Sequence, residues 1–131
     1  MKSLEVFDDA NAVAQKAAAI VAAEAREAVA LRGRFVMAVS GGRTPWQMLR
    51  ALANEDVPWN DVHIAQVDER VAPAGDPDRN LTHLQQSLLE HAPLQAEHLH
   101  AMPVEAEDLT AAATQYARTL HAIAGSPSVL D

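Results

Sequence analysis

The stretch FVMAVSGGRTPWQML, residues 35–49, passes from an apolar segment through two glycines into Thr-Pro and then into an amphipathic segment. RFVMAVS (34–40) is mainly apolar, contains two valines and is too short for a buried helix, so it predicts a strand covered on both faces. After Thr44, the apolar residues Met48, Leu49 and Leu52 recur at helical spacing. The stretch therefore predicts a strand, a tight glycine turn and a helix.

Strands and helices alternate on both sides of this turn. Further strands are predicted at SLEVF (3–7), VHIAQVDE (62–69) and EHLHAMP (97–103), and further helices from Asp8 or Asp9 to near Gly33, over 79–92 and over 106–125. The predicted buried face of the first helix consists of Val13, Ala17, Ile20, Val21, Ala25 and Ala28. This alternation predicts an α/β fold with a mostly parallel sheet sandwiched by helices, a Rossmann-like three-layer arrangement, and a single domain over residues 1–131.

Composition limits the classes of function. Of the 131 residues 49% are hydrophobic, enough for a real core, and the formal charge of −8 argues against nucleic acid or anionic membranes as partners. The chain has no cysteine, which excludes disulfides, thiolate metal sites and thiol nucleophiles and predicts a cytoplasmic location. No leader or membrane-spanning segment is predicted. An anionic ligand would therefore require a local pocket.

The glycine turn SGGRTP (40–45) lies at the carboxyl end of a predicted strand, where parallel sheets bind ligands. The glycines allow close backbone approach, Pro45 suits the first helical position and Thr44 is the predicted N-cap. Free N–H groups at the helix start predict an anion site, although the turn is neither a dinucleotide fingerprint nor a Walker loop. The candidate binding residues are Ser40, Gly41, Gly42, Arg43 and Thr44. A capped strand-to-helix turn without a ligand is the alternative interpretation.

A second candidate segment, QVDERVAP (66–73), ends another predicted strand. If the strand continues through them, Asp68 and Glu69 point to opposite faces, so they are not expected to form an acid–base pair. Asp68 reaches the pocket only if it faces the glycine turn. Arg70 is a candidate clamp for phosphate or carboxylate, and Asn80 is expected to cap the next helix or to face the ligand. An exposed, salt-bridged loop is the alternative interpretation.

Two aromatic and histidine features carry less weight. His98 and His100 share one face of a predicted strand, but no third ligand is apparent, so no metal site is predicted. Trp46 is expected to pack in the fold, close enough to the glycine turn to form a wall of a pocket.

The order of strand, SGGRTP, helix, strand, DER, charged loop, Asn80 and helix resembles the N-terminal part of the 6-phosphogluconolactonases, within the group that includes glucosamine-6-phosphate deaminases. SGGRTP resembles the phosphate loop of that family, with Arg43 where a serine is more usual. DER is the more discriminating motif, because the deaminases typically have an aromatic residue at the position of Arg70. The resemblance implies hydrolysis of 6-phospho-glucono-1,5-lactone to 6-phosphogluconate in the pentose phosphate pathway, with no metal or organic cofactor.

One part of the family pattern is not found in residues 1–131. Family members continue into a strand and a GxDGH-type motif, and the resemblance implies that the histidine of this motif activates water. In this chain, PSVLD (127–131) resembles the start of that strand. We therefore expect the chain to be the N-terminal part of a single domain, cut in mid-sheet, that supplies the phosphate-binding half and Asp68 and Arg70 near the reacting carbonyl. Another chain or the missing C-terminal half is expected to complete the sheet. A glucosamine-6-phosphate deaminase, with Asp68 as the base, and a non-catalytic sugar-phosphate-binding domain are the alternatives.

Overall fold

The computed structural model describes residues 2–131 and contains four α-helices and three strands within that range. Helix α1 spans Ala10–Arg32, β1 Phe35–Val39, α2 Arg43–Leu52, β2 Val62–Gln66, α3 Asn80–Leu84, β3 Leu99–His100 and α4 Leu109–Ala124. One turn of π-helix, Gln85–Leu89, continues α3, and short 3-10 turns at Trp59–Asp61 and Ala96–His98 precede β2 and β3. The elements alternate as the sequence predicts.

Local capping chemistry determines the ends of the long helices. The carboxylate of Asp9 accepts a hydrogen bond from the Ala12 N–H at 2.8 Å, and Gly33 ends α1 in the left-handed conformation with φ of 76°. Asp108 caps α4 through the Ala111 N–H at 3.0 Å, and Gly125 follows its last residue. The predicted start of α1 at Asp8 or Asp9 and its end at Gly33 are confirmed.

The sheet is parallel in the order β1–β2–β3, with Val39 opposite Gln66 and Ala65 opposite His100. Alternating side chains place Phe35 and Val39 of β1 in a core with α1, α2 and the α3 region. Val36, which is fully buried, faces the opposite side, where α4 buries Tyr116 and Ala124. Helices therefore lie on both faces of the sheet, and the α/β prediction is confirmed.

The first predicted strand is wrong, because residues 3–7 have no strand conformation. Leu4 and Val6 are 89% and 87% exposed, so the apolar side chains of SLEVF have no sheet to pack on. A strand requires backbone pairing, and within residues 2–131 none of the three strands pairs with this segment.

The predicted buried face of α1 is only partly right. Val13 and Ile20 are 41% and 52% exposed, whereas an alanine stripe is buried, namely Ala14, Ala18, Ala22, Ala25 and Ala28. Small side chains allow α1 to approach its neighbours closely, and this packing decides which stripe faces the core.

The last residues lie beside the outer edge of β1. PSVLD (127–131) has no strand conformation, so the start of a strand predicted there is not formed. The backbone N–H of Asp131 nevertheless donates to the carbonyl of Val36 at 3.0 Å, and its carboxylate accepts from the Val36 N–H at 2.9 Å. Within the described range, no helix has the length and apolar character that crossing a membrane requires.

Candidate active site

A cleft of about 410 Å³ lies where β1 and β2 end. The strands are parallel and in register, so the segments after Val39 and Gln66 leave the sheet side by side. The lining residues are Ser40, Gly41, Gly42, Trp46, Asp68, Arg70, Pro77, Asp78, Asn80 and His83. The structure thus brings together the two strand ends that were singled out in the sequence. The binding roles of these residues stay predictions.

The glycine turn differs from expectation in its cap. Gly42, with φ of 121°, is the N-cap of α2, and its carbonyl accepts the first helical hydrogen bond from the Trp46 N–H at 3.1 Å. The prediction of Thr44 as N-cap is therefore wrong, because the helix already begins at Arg43. Pro45 occupies the third helical position, where its missing N–H leaves no hydrogen bond unmade.

Two residues of the predicted binding turn do not line the cleft. Arg43 and Thr44 lie in the first turn of α2, and both are exposed. Their backbone N–H groups belong to the helix start, which has no acceptor within the helix and carries the positive end of its dipole. Any contribution of these two residues therefore comes first from the backbone.

Gly41 is held against the side chain of Asn80. A Cβ at position 41 would lie 2.1 Å from Asn80 Oδ1 and 2.6 Å from its Cγ. Asn80 is the first residue of α3, whose N-cap is Arg79, so the side chain of Asn80 does not cap the helix. Instead, its Nδ2 donates to the backbone carbonyl of Asp68 at 3.2 Å and to its carboxylate at 3.3 Å. Asn80 therefore joins the two segments that form the cleft.

Asp68 and Arg70 present opposite charges in the cleft. Arg70 Nη1 lies 3.6 Å from Asp68 Oδ2, and the two side chains are 65% and 50% exposed. Such an exposed pair contributes little to stability, so the Arg70 side chain is available to an anion at small cost. Asp68 lines the same cleft as Gly41 and Gly42 of the glycine turn.

Glu69 points away from the cleft and is enclosed, with 0% of its side chain exposed. Its Oε1 accepts from the backbone N–H groups of Arg70 and Asn80, both at 2.7 Å. Its Oε2 accepts from the Leu81 N–H at 2.9 Å and from Gln66 Nε2 at 3.0 Å. Asp68 and Glu69 thus differ in their surroundings, although β2 ends at Gln66 and does not continue through them as a strand.

These hydrogen bonds keep Glu69 ionised. Burial raises the pKa of the Glu69 carboxyl, but the hydrogen bonds from the Gln66 side chain and from the backbone of Arg70, Leu81 and Asn80 outweigh it and lower the pKa from 4.5 to about 2. The carboxylate therefore fixes the path of the chain from Arg70 to the start of α3.

Arg79 completes this buried centre, with only 2% of its side chain exposed. Its Nε lies 3.1 Å from Glu69 Oε2, and its Nη1 donates to the carbonyl of Ala72 at 2.9 Å. Nη1 also lies 3.7 Å from the carboxylate of Glu105. The alternative interpretation of this segment as an exposed salt-bridged loop is therefore wrong for Glu69 and Arg79.

His83 is a cleft residue that was not predicted from the sequence. Its ring stacks on Trp46, with centroids 4.0 Å apart and planes inclined by 21°. Its Nε2 lies 2.8 Å from the carbonyl of Pro77, which also lines the cleft. The signal was present in the sequence, because His83 follows Asn80 by three residues and so shares its face of the helix.

Three histidines cluster at β2 and β3, away from the cleft. His63 Nδ1 lies 3.0 Å from His100 Nε2, and the His63 ring stacks on His98 with centroids 4.1 Å apart. Across residues 2–131, no set of three or more His, Cys, Asp or Glu side chains has an arrangement that would hold a metal ion. Burial lowers the pKa of both His63 and His100, and the charge of the neighbouring His98 lowers both further. The charges of His100 and Arg34 also lower the pKa of His63, whereas Asp61 raises it.

This cluster predicts a loss of stability in mild acid. Because the folded-state pKa values of His63 and His100 lie below their ordinary values, the unfolded chain binds more protons as the pH falls. The stability that depends on keeping His63 and His100 neutral is fully present above pH about 6.5. It is lost as the pH falls through the pKa values of these two histidines in the folded protein. Urea unfolding between pH 8 and 5 should show a smaller pH dependence in His63→Phe than in the wild type. His91→Gln, at an exposed position, is the control. Equal slopes in all three proteins would contradict the prediction.

The comparisons with known proteins show the family of the chain. The family model described as "Glucosamine-6-phosphate isomerases/6-phosphogluconolactonase" matches residues 8–131. The chain belongs to this family. Within the family, it is 36% identical over 125 residues to the 6-phosphogluconolactonase of Streptomyces coelicolor, a match that covers 89% of this chain and 48% of the relative.

Solved structures of the family show the same fold. The 6-phosphogluconolactonase from Shewanella baltica is 30% identical, with a TM-score of 0.72 over 87% of this chain and 48% of that one. A monomeric glucosamine-6-phosphate deaminase, at 20% identity, has a TM-score of 0.80 over 94% of this chain and 51% of its own, which is a likeness of fold alone. The chain thus spans about half the length of the curated relatives it matches.

Proposed function

We propose that this chain supplies the phosphate-binding half of a 6-phosphogluconolactonase, which hydrolyses 6-phospho-glucono-1,5-lactone to 6-phosphogluconate in the pentose phosphate pathway. The observation that carries the proposal is the shared cleft, in which the glycine turn after β1 meets Asp68 and Arg70 after β2. The names of the curated relatives support the choice of reaction.

Charge decides how the substrate would lie in the cleft. The glycine turn and the start of α2 offer backbone N–H groups and the positive end of a helix dipole, and Arg70 adds a guanidinium. Asp68 and Asp78, which line the same cleft, repel a phosphate. We therefore place the phosphate at Gly41, Gly42 and Arg70, with Ser40 and the backbone N–H of Thr44 as further donors. The sugar hydroxyls then lie near Asp68 and Asn80.

Binding of the phosphate would position the lactone carbonyl for attack by water. The carbonyl carbon gains a bond to the water oxygen, and its oxygen becomes an oxyanion. Collapse of this intermediate breaks the ring C–O bond, and the released ring oxygen takes up a proton to become a hydroxyl. Arg70 is a second-choice donor to the oxyanion, as an alternative to its place at the phosphate. The resemblance implies that a histidine of a GxDGH-type motif takes the proton from water, and residues 1–131 contain no such motif. We assign that step to a part of the enzyme outside this chain.

A titration followed by amide NMR tests the proposal. Addition of 6-phosphogluconate should shift the amide signals of Gly41, Gly42 and Thr44 to saturation, whereas unphosphorylated gluconate should not. Arg70→Ala should weaken the binding by at least about tenfold, because a charge-assisted hydrogen bond contributes about 1.5–3 kcal/mol. Arg118→Ala, on the exposed side of α4, is the matched control and should bind normally.

The outcomes test the phosphate-binding cleft and the role of Arg70 separately. Equal shifts with gluconate, or none with either compound, would contradict a phosphate-binding cleft. Normal binding by Arg70→Ala would remove the role assigned to Arg70 while leaving the cleft in place.

We further propose that another strand completes the sheet at the outer edge of β1, supplied by another chain or by the C-terminal half of the enzyme. The support is two hydrogen bonds on that edge, one from the Asp131 backbone N–H to the Val36 carbonyl and one from the Val36 N–H to the Asp131 carboxylate. The cysteine-free composition agrees with a cytoplasmic location for the reaction.

A further inference from the structure

The polar cleft has one aromatic wall. Trp46 of α2 and His83 of α3 stack face to face at 4.0 Å, and both line the cleft that holds Arg70, Asp68 and Asn80. Trp46 also packs against the hydrophobic core, but it is only partly buried. A partly exposed tryptophan beside donors and carboxylates is typical of a ligand site, where an apolar surface meets a few placed polar groups.

Hydrogen bonding fixes this wall. The carbonyl of Pro77 only accepts, so the His83 Nε2 that lies 2.8 Å from it carries the hydrogen and donates it. The imidazole is thereby tied to the loop before α3, and its face supports the indole of Trp46. The wall is built from side chains of α2 and α3 and is tied to the loop before α3, so its position does not depend on one flexible side chain.

We propose that the Trp46–His83 wall selects a phosphorylated six-membered sugar ring over a bare phosphate, by packing on the apolar C–H face of the ring. This inference rests on the proposed function, because it requires the phosphate to be held at the glycine turn of the same cleft. Arg70 and the N-terminus of α2 bind a phosphate whether or not it carries a sugar. The Trp46–His83 wall contacts only the sugar ring beyond the phosphate.

The test compares two probes, glucose 6-phosphate as the phosphorylated ring and inorganic phosphate as the anion alone, by calorimetric titration of the full chain. Trp46→Leu should weaken binding of glucose 6-phosphate by about fivefold and leave inorganic phosphate within about twofold, since an aromatic contact contributes about 0.5–1.5 kcal/mol. His83→Phe, which keeps a ring under Trp46, should lose less affinity for the sugar phosphate than His83→Ala.

Fluorescence gives a second readout, because the chain has two tryptophans and Trp59 is 7% exposed within the core. Glucose 6-phosphate should change the emission of the wild type and not that of Trp46→Leu. An equal loss of affinity for both probes in Trp46→Leu, or no loss for either, would overturn the proposed wall while the phosphate site stands. Failure of the wild type to bind either probe would instead overturn the proposed function, and the wall with it.

Discussion

Replacement of Glu69 by glutamine is expected to lower the free energy of unfolding by about 3–5 kcal/mol. The carboxylate accepts hydrogen bonds on both oxygens and lies 3.1 Å from Arg79 Nε. Glutamine has one accepting oxygen, so its NH₂ group would face backbone donors. Arg79 would stay buried with only the exposed carboxylate of Glu105, 3.7 Å from its Nη1, as a countercharge. Urea unfolding at pH 7 measures the loss.

Asp68→Asn is the matched control, because Asp68 is the neighbouring carboxylate and is 50% exposed. Its cost should stay within about 1 kcal/mol, as is usual for an exposed ion pair. Equal losses in the two variants would contradict the buried role of Glu69.

Replacing both partners of the pair, Glu69→Leu with Arg79→Met, should cost less than the sum of the two single changes, because neither buried charge is then left alone.

The same carboxylate predicts acid sensitivity in a second pH range. The folded-state pKa of Glu69 is about 2 and its ordinary value is 4.5, so the stabilisation is complete above pH 4.5 and is lost as the pH falls toward 2. The shift corresponds to about 3 kcal/mol. Glu69→Gln should therefore lose less further stability than the wild type over this interval.

The features that the sequence predicted correctly are those set by local chemistry. Asp9 and Gly33 determine the ends of α1 through contacts within a few residues, and an apolar run too short for a helix determines β1. SLEVF failed for the opposite reason, since a strand depends on a distant partner and residues 2–131 place none beside it. The buried stripe of α1 also depends on which neighbour packs against it.

For the candidate site, the rule that parallel sheets bind ligands at their carboxyl ends was enough to select the segments after β1 and β2, which contribute Ser40, Gly41, Gly42, Asp68 and Arg70 to one cleft. It was not enough to separate the roles of adjacent residues. Glu69 and Arg79 are charged and lie in a polar loop, which is typical of solvated surface, and only the folding of that loop onto Gln66 and Ala72 buries them. That the N-cap of α2 is Gly42 and not the predicted Thr44 likewise depends on one backbone angle, the φ of Gly42.

Gly41→Ala is expected to weaken binding of 6-phosphogluconate by at least about tenfold, which is about 1.4 kcal/mol. Gly41 does not have a positive φ, so its requirement is space and not conformation. The new Cβ would lie 2.1 Å from Asn80 Oδ1, and the Asn80 side chain must leave its place beside Asp68. Because Asn80 joins the two segments of the cleft, its displacement moves the glycine turn relative to Arg70. Calorimetric titration with 6-phosphogluconate measures the change.

Two further variants isolate the steric cause. Gly33→Ala introduces a Cβ at φ of 76° with nothing within 4 Å, so it should cost about 1 kcal/mol of stability and leave binding unchanged. Asn80→Ala removes the three atoms that the new Cβ would meet. If the clash is the cause, Gly41→Ala should add almost nothing to the effect of Asn80→Ala in the double variant, in both affinity and unfolding free energy. Additive losses in the double variant would show that Gly41 acts on the ligand independently of Asn80.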